Sequence, residues 1–145
     1  MNHHYTLTGA NLHGANLHGA NLTGADLTGA DLTGAKGAEL AIAKTRILPA
    51  GQLIGWKKCR EGVVVKLSIP EDAERSHAFG RKCRASYVMV LEVIGGEVGV
   101  SIYDIETEYR AGQIVRCNEW SENWTVECGG GIHFYITKAE AEAHQ

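Results

Sequence analysis

The chain has no long apolar run, no strong excess of one charge and no close pair of cysteines, and each lack removes a class of protein. No stretch approaches the roughly 20 apolar residues of a membrane-crossing helix. The opening MNHHYTLTG carries no apolar core of a secretory signal. A net charge of −3 over 145 residues gives no general attraction to nucleic acid. Cys59, Cys83, Cys117 and Cys128 are widely spaced, which argues against a dense disulfide scaffold and a paired-thiolate zinc module alike. The expectation is a cytosolic protein with reduced, mainly structural cysteines. Its length suits one domain, or two small units that share a core.

What the chain does have is a period of five. Leucine stands at positions 7, 12, 17, 22, 27 and 32, and alanine at 10, 15, 20, 25 and 30. On an α-helix of about 100° per residue, successive leucines would fall about 140° apart and define no face. On a straight strand the odd step would throw them to alternate sides. A chain that turns a corner once per repeat keeps every Leu and Ala inside. Gly14, Gly19, Gly24, Gly29 and Gly34 sit two places after a leucine, where the corner needs a residue without Cβ strain. Asn11, Asn16, Asn21, Asp26 and Asp31 are placed to bond the backbone there.

This A-[DN]-L-x-x pattern over residues 5–34 resembles the pentapeptide-repeat family, which implies a right-handed, four-sided β-helix with one repeat per side. Four repeats would close one coil, stacking Leu7 with Leu27 and Leu12 with Leu32, and Ile42 above Leu22. Gly37 would fall above Leu17, so the inward Leu is missing there. Six repeats make about 1.5 coils, too few to stand alone. The coil is expected to dock on the rest of the chain or on a second subunit. His13 and His18 take the outward position, as surface residues or, with His3 and His4, as a less favoured metal site. The long, DNA-mimicking, gyrase-binding members of that family are a poor parallel, since this run is short and carries two acidic positions.

After Leu48-Pro49 the composition turns to Val, Ile, charged residues and tryptophan. Val63–Ile69 reads as a strand ended by Pro70. Ser86–Ile94 reads as a central strand covered on both faces. Gly95-Gly96 then reads as a hairpin turn into Val98–Tyr103, and Gln113–Cys117 and Ile132–Ile136 as further strands. Pro70–Arg75 reads as one helical turn, and Asp104, Glu106 and Glu108 as one solvated face of an extended edge. Thr137 and Glu140 form a capping box that opens a short C-terminal helix. The fold class is mainly β: a short right-handed quadrilateral β-helix with its linker over 1–47, then a compact antiparallel, marginally α+β domain over 48–145. WKK (56–58), IPEDAERS (69–76), RKCRASYVMVLEV (81–93), YRAG (109–112) and ECGGGIHFYITKAEA (127–141) resemble a phage and prophage domain found behind short pentapeptide runs, which implies a host-cytoplasmic setting and no particular mechanism.

No catalytic, metal or cofactor residues are assigned. A Cys128–His133 nucleophile pair lacks an orienting carboxylate, so structural packing is the better account. Basic clusters stand close in sequence to aromatic residues, and arginine forks match phosphate. Trp56, Lys57, Arg75, Arg81, Arg84 and His133 are therefore the candidate ligand contacts, with Gly129–Gly131 offering backbone N–H groups to an anion. A solvated basic rim around core aromatics is the plainer alternative. The functional expectation is a non-enzymatic homo-oligomer that holds a small phosphorylated ligand such as a cyclic nucleotide, with sequestration of a host immune signal as a role that would suit it. A structural or host-protein-binding accessory protein is the alternative. Neither a nucleic acid polymer nor a membrane is an expected partner.

Overall fold

A computed structural model describes residues 7–144. His3 and His4, and with them the histidine metal site, lie outside the described residues. The coil forms as its corners dictate. In each repeat the Ala N–H donates to the Leu carbonyl three residues earlier, as from Ala10 to Leu7 at 2.9 Å and from Ala25 to Leu22 at 3.0 Å. Glycine takes the third turn position with φ near +70°, the left-handed value of a type II turn. Asn11, Asn16, Asn21, Asp26 and Asp31 each accept at Oδ1 from the N–H two residues on, at 2.9–3.1 Å. Successive coils lie twenty residues apart, with parallel bridges Asn11↔Asp31 and Asn16↔Lys36.

The coil ends where Gly37 replaces a leucine. A Cβ there would lie 2.7 Å from His18 Nδ1 and 2.9 Å from its backbone nitrogen. The chain instead turns into α1 (Ala38–Ala43), a helix not foreseen in the sequence. Six residues are too few to hold a helix by propensity. Ala41, 3% exposed, and Ile42 hold it against Leu22, Ala25 and Leu27. The next coil is supplied by a different part of the chain. Gly9 and Gly14 donate to the carbonyls of Thr28 and Thr33, one coil on, whereas Gly24 donates to Phe79 at 2.9 Å. Phe79, 1% exposed, closes that end of the coil, backed by the tilted ring of Trp124 at 5.2 Å. Arg46 fastens the junction, donating to the carbonyls of His77 and Ala78 beneath the faces of Phe79 and Trp124. Docking on the same chain thus covers this end.

The rest is antiparallel. One sheet runs β1 (Leu53–Lys58), β2 (Val64–Ile69), β5 (Tyr87–Ile94) and β8 (Ile114–Arg116) in that order. The second runs β3 (Arg75–His77), β4 (Cys83–Ala85) and β9 (Ile132–Phe134). A small ribbon pairs β6 (Gly99–Val100) with β7 (Glu108–Tyr109). Val65, Leu67 and Ile69 are fully buried while Lys66 and Ser68 between them are half-exposed, the period of a one-sided strand. Gly55 admits the second sheet, since a Cβ there would sit 2.5 Å from the Phe134 ring. Trp56 and Tyr135 exchange backbone bonds at 2.8 Å and join the sheets. Thr137 caps α2 (Lys138–Ala143), accepting from Glu140 N at 3.3 Å, as the capping box requires.

Several expectations are corrected. β5 is covered on one face only: Val88 and Val90 are buried, but Met89 and Leu91 are exposed, because α2 packs on β1 and β2. Gly95-Gly96 makes no hairpin; the strand after it pairs with β7 instead of β5. Pro70–Ala73 is a turn closed from Ala73 N to Pro70 O, and Arg75 already belongs to β3. Asp104 bends its segment by accepting from Glu106 N and Thr107 Oγ1, so the three acids share no extended edge.

Candidate functional site

Along β1, alternate residues face the core, and Leu53 and Gly55 are buried there. Lys57 is the next in that row, at the point where the core opens into a cavity of about 320 Å³. Its floor is Lys57 with Ile132 and His133 of β9, and the segments 101–109, 116–119 and 130–131 complete the walls. Lys57 Nζ donates to the His133 carbonyl at 3.2 Å and stands 5.9 Å from the Tyr109 ring centre. Among the described residues no ion pair includes Lys57. Burial without a counter-charge pushes its pKa down to about 8, and the nearby charge of Lys82 adds to the effect. His133 donates from Nε2 to the Gly129 carbonyl at 2.9 Å, and burial lowers its pKa to about 4, so it is neutral at pH 7.

A second, narrower recess of about 30 Å³ meets the cavity at Lys57, Tyr103 and His133. Lys58, Lys82, Ile102, Tyr135 and His144 line the rest of it, with no carboxylate among them. Lys58 Nζ donates to the carbonyls of Glu142 and His144 at the end of α2, at 3.1 and 2.9 Å. Tyr135 Oη and His144 Nδ1 are 3.0 Å apart. The 320 Å³ cavity, by contrast, includes the acids Asp104 and Glu119 beside Arg116. The positive character of the site is therefore concentrated in the recess.

Of the six residues singled out in the sequence, the structure brings Lys57 and His133 together at this site. Trp56, one step along β1, lies outside it, with Lys66 Nζ 5.5 Å from its ring. Arg75 is spent on the chain itself, donating to the carbonyls of Gly51, Pro70 and Ala73. Arg81 forms a two-pronged pair with Glu140 at 2.9 and 2.8 Å, tying the entry to β4 onto α2. Arg84 is 1% exposed. It donates to the carbonyls of Ser121, Gly130 and Asn123 at 2.7–2.9 Å and stacks 4.6 Å from the Trp120 ring. Its fork holds the loop that carries one wall of the cavity. Three arginines that read as anion contacts thus bind protein groups, because paired carbonyls and carboxylates suit a guanidinium as phosphate does.

In the glycine run the Gly129 N–H is spent on the Val126 carbonyl at 3.3 Å. A Cβ on Gly130 would sit 2.4 Å from the Glu119 carbonyl oxygen, and the Gly129 and Gly130 carbonyls accept from His133 and Arg84. Glycine is needed here for a close crossing. Cys128 is no partner of His133: its sulfur lies 3.5 Å from Lys82 Nζ, and the imidazole is turned to Gly129. Among the described residues no three His, Cys, Asp or Glu side chains converge as metal ligands would. Lys58, Lys82, Tyr103, Tyr135 and His144 were not singled out in the sequence. Two of them lay in its basic clusters, but strand parity and a contact between β1, β9 and α2 decide which members share the recess.

A family model described as a family of unknown function (DUF5758) matches residues 43–141, and one described as pentapeptide repeats (8 copies) matches residues 6–36. No curated protein and no solved structure gives a match.

Proposed function

From a chain that belongs to the DUF5758 family, with pentapeptide repeats ahead of the family domain, we propose a non-enzymatic binding protein that holds a small anionic ligand in its β domain. The acid-free recess carries this reading, since it gathers three lysines in a protein whose net charge is −3. A carboxylate or phosphate seated there would supply the counter-charge that Lys57 lacks, with charge-assisted bonds of about 1.5–3 kcal/mol each. The adjoining 320 Å³ suits the body of a small ligand. Tyr103 at the mouth, 77% exposed, offers a ring face on which a base could stack. A phosphorylated host signal, such as a cyclic nucleotide, fits this class, and sequestering it demands affinity and no catalytic group.

The test is thermal unfolding of the full chain against a panel of anions and nucleotides. A ligand at a hundred times its Kd should add about 2.7 kcal/mol of stability. Lys57→Met and Lys82→Met should each remove most of that gain; a gain unchanged in both variants overturns the reading. Binding should also weaken as pH rises through about 8, because the anion favours the charged form of Lys57. An accessory protein that docks on other protein is the second reading, favoured by Met89, Leu91 and Ile114 exposed on one sheet face. Native mass measurement of subunit number and co-purified molecules separates the two.

A further inference from the structure

Lys57 is half-buried in the wall shared by both cavities. It continues the inward row of Leu53 and Gly55, its nitrogen bonds a carbonyl oxygen, and among the described residues no carboxylate pairs with it. With a pKa of about 8, roughly a quarter of it is free amine at pH 7.5, against about one part in a thousand for an ordinary lysine. Three of the four thiols, and His133, are less suited. Burial raises the Cys59 and Cys83 thiols to about 11 and about 12 and raises Cys117 as well, and His133 has its Nε2 proton engaged. A desolvated lysine beside another cation is the usual setting for carbonyl chemistry.

We propose that Lys57 captures its ligand covalently and reversibly, as an imine with a small aldehyde or ketone that also carries a carboxylate or phosphate. This rests on the anion reading of the recess, where Lys58 and Lys82 would hold the charged group while the carbonyl faces Lys57. The nitrogen lone pair forms the C–N bond. Both amine hydrogens end on the carbonyl oxygen, which departs as water when the C–O bond breaks. No oxidant or further reactant is consumed.

The experiment treats the full chain at pH 7.5 with glyoxylate and cyanoborohydride, which reduces an imine to a stable secondary amine, and locates the label by peptide mass spectrometry. An acetylated lysine amide in the same tube serves as reference. Lys57 should be labelled first, at least about tenfold faster than the reference, from its larger share of free amine. Glycolate, with the carboxylate but no carbonyl, should slow that labelling. Label spread over Lys36, Lys44 and Lys138 at the reference rate, with none on Lys57, overturns the inference. The two ideas can also fail separately. If glycolate raises thermal stability but Lys57 stays unlabelled, the anion site stands and the imine falls. If Lys57 labels rapidly and glycolate neither slows it nor stabilises the fold, the imine stands and the anion site falls.

Discussion

The coil and the β domain solve the same problem, burial of apolar side chains behind bonded backbone, at opposite sequence distances. In the coil every corner bond spans two or three residues, and the ladder bonds repeat at a constant separation of about one coil. In the β domain the deciding contacts are remote: Gly55 with Phe134, Lys57 with His133, Arg84 with the carbonyl of Ser121. Repetition therefore makes the coil readable and leaves it poor in chemistry, since each repeat presents nearly the same surface. The domain's irregular crossings leave room for a cavity. The two regions meet at Phe79, where the domain completes a coil that the repeat leaves unfinished.

Removing that meeting point should have the largest effect. Phe79→Ala should cost about 3–5 kcal/mol and loosen the coil more than the β domain. Hydrogen exchange would show it as lost protection at Gly24 with the β2 amides still protected; equal loss in both regions would show that the coil has no separate dependence on the junction. Arg84→Ala comes next, at about 3 kcal/mol, because three loop carbonyls lose their donor. Chemical denaturation checks the cost, and a shift below about 1 kcal/mol would return Arg84 to the ligand contacts.

Acid should weaken junction and site together. His77, buried beside Arg46 with Nε2 accepting from Ile47 N, and His133 both have folded pKa values of about 4 against an ordinary 6.5. The unfolded chain takes up protons below pH 6.5 that the folded chain refuses until near 4, so stability is complete above 6.5 and falls as pH drops through that interval. At pH 5 the loss should be about 2 kcal/mol per histidine. His77→Gln and His133→Gln should flatten the curve, and an unaltered slope in both would exclude them as its source. The smallest effect is Gly19→Ala, about 1 kcal/mol, from the strain of its φ of +76° with open space around the new Cβ. A melting-temperature series over the corner glycines measures it, and an unchanged value would show that the corners tolerate side chains.

Legibility followed the range of the interactions. Val65, Leu67 and Ile69 announced β2 by alternation, and Thr137 with Glu140 announced α2 by its cap, because both signals are local. β1 did not announce itself: Gly55, Lys57 and Lys58 are weak strand formers, and the strand exists because β2 and the Phe134 ring fit against it. β5 looked covered on both faces because apolar residues occupy both of its faces, and only the placement of α2 shows which face is left bare. At the site, Lys57 and His133 were legible as a cation and an imidazole near aromatic residues. The roles of Arg75 and Arg84 were not, since a guanidinium serves a carbonyl, a carboxylate or a phosphate with the same fork.

The sequence by itself determined the five-residue corner, its glycine and Asx chemistry, the inward Leu and Ala, and the antiparallel character of the β domain, because each depends on bonds or patterns within a few residues. Tertiary structure alone decided that Phe79 caps the coil, that Arg84 is scaffold, and that three lysines share a recess without an acid. Those outcomes turn on burial and on which charges meet, and such quantities come into being only when distant segments close on one another.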